Sequence, residues 1–202
     1  MDDKQVPIEQ RGVVLPDDYL AIVANVPVIA ETREAFIRTL PQRATAAEVG
    51  VAQGGFSIRL VQCNPKKLYL IDGWDMLGGR KEEADNDELI CRTYFKPFEN
   101  VEIIKTTSYG ATKIFTDESL DWIYLDANHD EQSVYIDLCT WQPKIKMGGY
   151  IIGHDFCFTG TWGYGVVPGV FRFAKETFSM KLIGQTRYTG EEFPSFIMQK
   201  VQ

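Results

Sequence analysis

Only two histidines occur in the 202 residues, and each stands beside a carboxylate at one end of an apolar run. His129 lies in "DANHDE", directly after "LDWIYL"; His154 closes the apolar part of "GGYIIGHDF" and precedes Asp155. A free imidazole titrates near ~6.5, so a modest shift lets His129 accept a proton at cellular pH. Asp126, three positions before His129, and Asp155 can orient such a base. The plainer alternatives are that His129 caps the helix after it and that His154 only supports the carboxylates.

Two earlier stretches add binding chemistry. In "AEVGVAQGGFS" an apolar run enters a glycine-rich turn and then a helical pattern. The backbone amides around Gly50, Gln53 and Gly54 can therefore approach a ligand with few Cβ atoms in the way. The spacing Glu48-x-Gly50-x-x-x-Gly54 is not the GxGxxG of dinucleotide folds. An acid at 48 also suits a cationic ligand better than a pyrophosphate. In "LYLIDGWD", Asp72 ends the next apolar run, where a carboxylate can accept hydrogen bonds from the two hydroxyls of a ribose. Gly73 and Trp74 follow, and the indole offers an apolar face for a purine.

These residues need elements that bring them together. The runs "TAAEV", "KLYLID", "VEIIK", "LDWIYLD" and "GGYIIGHD" read as strands, and helical patterns separate and follow them: "GFSIRLVQ", "NDELICRTYF", "ATKIF", "EQSVYIDLCTW" and "GVVPGVFRFAKETF". Alternating strands and helices imply a parallel sheet with helices on both faces. "KLIGQTRY" and "SFIMQKV" have no helix between them and are expected to form an antiparallel hairpin at one edge. In open sheets of this kind ligands sit beyond the carboxyl ends of the strands, where these polar residues stand. Residues 1–43 are expected to form a helical segment in which Asp17 or Asp18 caps one helix and Thr32 another; residues 44–202 form the α/β unit, one domain overall.

Composition narrows the partners. A formal charge of −7, with 45% hydrophobic and 24% charged residues, argues against nucleic acid or an anionic membrane surface and for a small molecule. Cys63, Cys91, Cys139 and Cys157 lie far apart without a CxxC pair and read as reduced thiols. The acidic start "MDDKQVPIEQ" lacks the marks of a secretory signal, and "YLAIVANVPVIA" is too short to span a bilayer, so a cytoplasmic setting is expected.

On "EVGVAQGGFS", "LYLIDGW", "SLDWIYLDANHDEQSVYIDLCTWQPKIKMGGYIIGHDF" and "GVVPGVFRFAKETF", residues from about 44 to 178 resemble the class I S-adenosylmethionine-dependent methyltransferases. Within them they resemble the small-molecule O-methyltransferases that include macrocin-type and cephalosporin-hydroxylase-like proteins. The resemblance implies a Rossmann-like, seven-stranded, mostly parallel sheet with an antiparallel last strand. It implies S-adenosylmethionine bound by Glu48, Gly50, Gln53, Gly54, Asp72, Gly73, Trp74, Ser108 of "TTSYGA" and Asp126. In metal-dependent relatives an aspartate after strand four and acids after strand five hold a divalent ion. This makes Asp126, Asp155 and His154 the candidate ligands and His129, with Asp126 and Asp155, the catalytic group. The departure is His154, where such relatives often carry an acid. The expected reaction is methyl transfer to a hydroxyl of a small sugar-like or polyol acceptor, with a homo-oligomer left open. An NAD-dependent oxidoreductase and a silent nucleoside-binding module are the alternatives. The charged stretch "GGRKEEADNDE" reads as a lid or solvated surface, and "CFTGTWGYG" as a loop that could recognise substrate.

Overall fold

The computed structural model describes residues 17–74, 81–158, 165–189 and 193–202. In chain order the elements are α1 (Asp17–Asn25), β1 (Val28–Ala30), α2 (Arg33–Ile37), β2 (Thr45–Val49), α3 (Ser57–Gln62), β3 (Lys67–Asp72), α4 (Lys81–Phe95) and β4 (Val101–Lys105). They continue as α5 (Ser108–Thr112), β5 (Leu120–Leu125), α6 (Glu131–Trp141), β6 (Ile145–Gly153), α7 (Val166–Glu176), β7 (Met180–Thr186) and β8 (Phe196–Lys200), with a 3-10 turn at Gln142–Lys144 before β6.

The short apolar strands pair because both of their faces can be buried. Along β5, Ile123 and Leu125 pack into one core with Ala47, Val49 and Ile71. Trp122 and Tyr124 pack into the other with Ala46, Leu68 and Leu70. The period-two alternation thus feeds two apolar layers, one on each side of the sheet. Burying each Leu or Ile contributes roughly 1.5–3 kcal/mol against the entropy of ordering the chain.

The strand order is β1-β7-β8-β6-β5-β2-β3-β4. All pairings are parallel except those of β8, which runs antiparallel to β6 and β7. The expected Rossmann-like sheet with its antiparallel hairpin is therefore present, extended by an eighth strand. That strand, β1, has only three residues and partly exposed side chains, so it carries no sequence pattern. It is held by backbone bonds from Gln185 to Pro27 and from Arg187 to Ala30. Gln185 also donates its side-chain amide to the carbonyls of Val23 and Val26, anchoring the N-terminal segment in the core.

Two other differences are local. Residues 81–85 of the charged stretch are already helical in α4, because Lys, Glu and Ala are strong helix formers and Glu82 and Glu83 suit a helix start. Residues 78–80 and 159–164, parts of the two proposed loops, lie outside the described residues.

The turn after β2 fixes how closely the central strands meet. Asp126 N–H donates to Val49 O at 2.7 Å, and Gly50 N–H donates to Ile71 O at 3.0 Å. Gly50 sits at φ +88, and a Cβ there would overlap the Asp126 carbonyl. We expect Gly50→Ala to destabilise the fold by about 3 kcal/mol, from positive-φ strain and displacement of the β5 end together. Urea unfolding measures it, and an unchanged midpoint would contradict this packing.

Candidate functional site

Strand order reverses between β5 and β2, and a cavity of about 790 Å³ opens beyond their carboxyl ends. That volume lies within the roughly 300–1,000 Å³ usual for small-ligand sites. The wall brings together Glu48, Gly50, Gln53, Asp72, Gly73, Trp74, Ser108 and Asp126, all expected from the sequence. Gly54 is absent from the wall. It shapes the turn instead, at φ +87, with space for a Cβ taken by the Phe95 ring. His129 is also absent from the wall and lies behind Asp126, while His154 opens onto a second cavity.

Asp72 clasps the glycine-rich turn. Its Oδ2 accepts the N–H groups of Val51 and Ala52 at 2.7 and 2.9 Å, and its Oδ1 accepts Trp74 N–H at 2.7 Å. Trp74 Nε1 closes the loop by donating to Ala52 O at 3.1 Å. A carboxylate has about four lone-pair positions, so roughly one remains for a ribose hydroxyl. Asp72 therefore shapes the turn at least as much as it can bind a ligand.

Glu48 belongs to the β2 face buried against α3, and Ser57 Oγ donates to its Oε2. Burial raises its carboxyl to about 8, outweighing the Ser57 bond, with the Asp126 charge adding to the rise. Glu48 is thus mostly protonated at neutral pH.

The two histidines and both aspartates converge as expected. His129 Nε2 lies 3.3 Å from Asp126 Oδ1 and 3.4 Å from Asp155 Oδ2. His154 Nδ1 lies 2.9 Å from Asp155 Oδ1 and 3.6 Å from Asp126 Oδ2. The cap of α6 is Asp130, which accepts Ser133 N–H at 3.0 Å, so His129 is released from the capping role. Burial works against the charges of Asp126, His129 and His154. Even so, the His129 and His154 bonds hold Asp126 well below the usual carboxylate range. The carboxylates in turn raise His129 above its ordinary value and His154 to about 9.

Asp126, His154 and Asp155 each offer one ligand atom, all within 4.8 Å of one another. Two buried atoms of this set, His154 Nε2 and Asp155 Oδ1, have no hydrogen-bond partner; the short Nδ1 approach to Asp155 is misaligned for one. Asp155 also holds a left-handed φ of 53, unfavourable for a non-glycine residue. The unpartnered Asp155 Oδ1 and three ligand atoms within 4.8 Å of one another fit a divalent ion.

Sequence reasoning missed two members of the site. Arg33, at the start of α2, donates to Tyr124 Oη at 2.9 Å, lies 3.8 Å over the Phe56 ring and comes within 3.7 Å of Asp126. Nothing local in "REAFI" marks it out, since the contacts come from β5 and the glycine-rich turn. Asp137 accepts Ser108 Oγ at 2.5 Å, and Trp141 Nε1 donates to the same Ser108 oxygen at 2.9 Å. Its signal was legible: Val134, Asp137, Leu138 and Trp141 form one buried helical stripe, so an acid interrupts an apolar face.

A family model described as a methyltransferase domain matches residues 47–156, more than half of the chain. The fold is shared with solved structures of low identity. An O-methyltransferase from Bacillus cereus in complex with SAH aligns with TM-score 0.61 at 20% identity, over 97% of this chain and 100% of that one. The N-methyltransferase NodS from Bradyrhizobium japonicum aligns with TM-score 0.58 at 14% identity, over 84% of this chain and 95% of that one. No curated protein matches the chain in sequence. The chain belongs to the methyltransferase-domain family. Its class is that of the S-adenosylmethionine-dependent methyltransferases. No helix among the described residues is long and apolar enough to cross a membrane.

Asp137 gives the site a pH signature. Burial raises its carboxyl to about 6, against the lowering effect of the Ser108 bond. Below the unfolded value of 3.8 the group is protonated in both states. Between that value and about 6 only the unfolded chain releases the proton, so stability falls as pH rises, and above about 6 the penalty is complete. Asp137→Asn, which can still accept from Ser108, should melt above the wild type at pH 8, with the gain fading toward pH 4. Equal melting temperatures at pH 8 would refute the burial argument.

Proposed function

We propose that the protein transfers a methyl group from S-adenosylmethionine to a hydroxyl of a small, sugar-like or polyol acceptor, with a divalent ion assisting. The observation that carries this reading is the cluster of Asp126, His129, His154 and Asp155 beside a cavity of cofactor size. Acids predominate on that wall, with Glu48, Asp72, Asp87, Asp126 and Asp137 against Arg33, which suits a ligand bearing a sulfonium and an ammonium.

When bound, the cofactor supplies an electrophilic methyl group, and a divalent ion lowers the pKa of an adjacent hydroxyl. Glu48 faces the ammonium side, and the remaining lone pair of Asp72 receives one ribose hydroxyl. Ser108 and Asp137 border the base. Arg33, steadied by Tyr124 and Phe56, lies 3.7 Å from Asp126, which His129 and His154 keep ionised. Asp126 orients the acceptor hydroxyl; in the neutral form of His129 with the Nε2 lone pair free, the hydroxyl proton passes through Asp126 to Nε2, 3.3 Å away. Asp126, His154 and Asp155 would hold the ion; their mixed oxygen and nitrogen set favours manganese or a softer ion over magnesium. The glycine-rich turn lacks the dinucleotide spacing, and the family match gives the oxidoreductase alternative no support.

His129→Ala should lower turnover of labelled S-adenosylmethionine by about 10²-fold or more while S-adenosylhomocysteine affinity stays within about twofold. Unchanged turnover would remove His129 from the chemistry. Dialysis against chelator should lower both activity and bound-metal content, and Asp155→Ala should prevent metal from rebinding. Full activity at zero metal would contradict the assisting ion.

A further inference from the structure

On the far side of Arg33 lies a second cavity of about 810 Å³. Its described wall includes the guanidinium groups of Arg33, Arg38 and Arg59, with Glu34 the one carboxylate. This is a local reversal of charge in a chain whose net charge is −7. Arg59 pairs with Glu34 at the rim, an arrangement open to exchange because the Arg59 side chain is 55% exposed. Arg38, at the C-cap of α2, has no carboxylate partner among the described residues. Phe193, stacked on Tyr188 with ring centroids 5.9 Å apart, supplies a flat apolar wall.

This cavity adjoins the first. Arg33 lines both, and His154, on the wall of the second, lies 3.6 Å from Asp126, on the wall of the first. A molecule in the second cavity can therefore present one group at Asp126 and another to the guanidinium groups. Arginine forks match planar or tetrahedral oxyanions with paired N–H bonds, which a neutral polyol cannot equal.

We propose that the second cavity is the acceptor site and that the acceptor is anionic: a small hydroxylated molecule carrying a carboxylate or phosphate, gripped by Arg38 and Arg59. The inference rests on the methyl-transfer reading and narrows its substrate class. Arg38 and Arg59 select the charged group, Phe193 lies against the carbon frame, and the hydroxyl reaches Asp126.

The test is calorimetric titration of the full chain, saturated with S-adenosylhomocysteine, with glucuronate, glucose 6-phosphate and glucose. At least one charged sugar should bind about tenfold or more tightly than glucose, as expected for one or two charge-assisted bonds. A preference for glucuronate assigns the carboxylate, and one for glucose 6-phosphate the phosphate. Arg38→Gln should erase the charge preference, while Glu34→Gln should strengthen it severalfold. Arg172→Gln, an equal loss of charge on α7, should leave it unchanged. Equal affinities for charged and neutral sugars, no binding of any of the three, or a preference that survives Arg38→Gln would overturn the proposal. Failure of the protein to bind S-adenosylhomocysteine would instead strike the methyl-transfer reading itself.

Discussion

The site depends on keeping one carboxylate ionised at the end of a buried strand. Asp126 follows β5, whose side chains are almost entirely out of water. Burial alone would protonate it, at a penalty of several kcal/mol for an unpaired charge. Arg33, His129 and His154 surround it instead, each on a different element, so the charge is tolerated only where α2, the β5 turn and the end of β6 all meet. The geometry of the fold and the electrostatics of the site are thus a single constraint. The backbone repeats it, since the Asp126 carbonyl occupies the space that makes residue 50 a glycine.

Glu48 solves the same problem in the opposite way. It lies on a buried face with a hydroxyl partner, and its carboxyl shifts to about 8, so it stays largely neutral. Two acids at neighbouring strand ends therefore carry different charges at neutral pH. The difference follows from their hydrogen-bond partners, two imidazoles against one serine. On the proposed reading the first serves proton transfer, and the second is a latent anion that ionises when a cation arrives.

Much of this was legible in the sequence because parallel strands buried on both faces read as compact apolar runs. The polar residues that end those runs, Glu48, Asp72, Asp126 and His154, stood out against them. The short strand β1 was not legible, since three residues held by backbone bonds to β7 leave no periodicity. Arg33 was hidden because its meaning comes from Tyr124, distant in sequence. Asp72 was placed correctly on the cavity wall, but its capture by three backbone N–H groups arises from turn geometry that residue types do not reveal. Asp137 could have been found from its position in an apolar helical stripe.

The most direct test is calorimetric titration of the full chain with S-adenosylhomocysteine at pH 7 in buffers of different ionisation enthalpy. The account predicts saturable binding to one site per chain, with an apparent enthalpy that varies with the buffer as Glu48 gives up its proton to face the ligand's ammonium. In Glu48→Gln that variation should vanish while binding persists. Absence of saturable binding in the wild type would contradict the central claim that the cavity at the β2 and β5 ends holds the methyl donor.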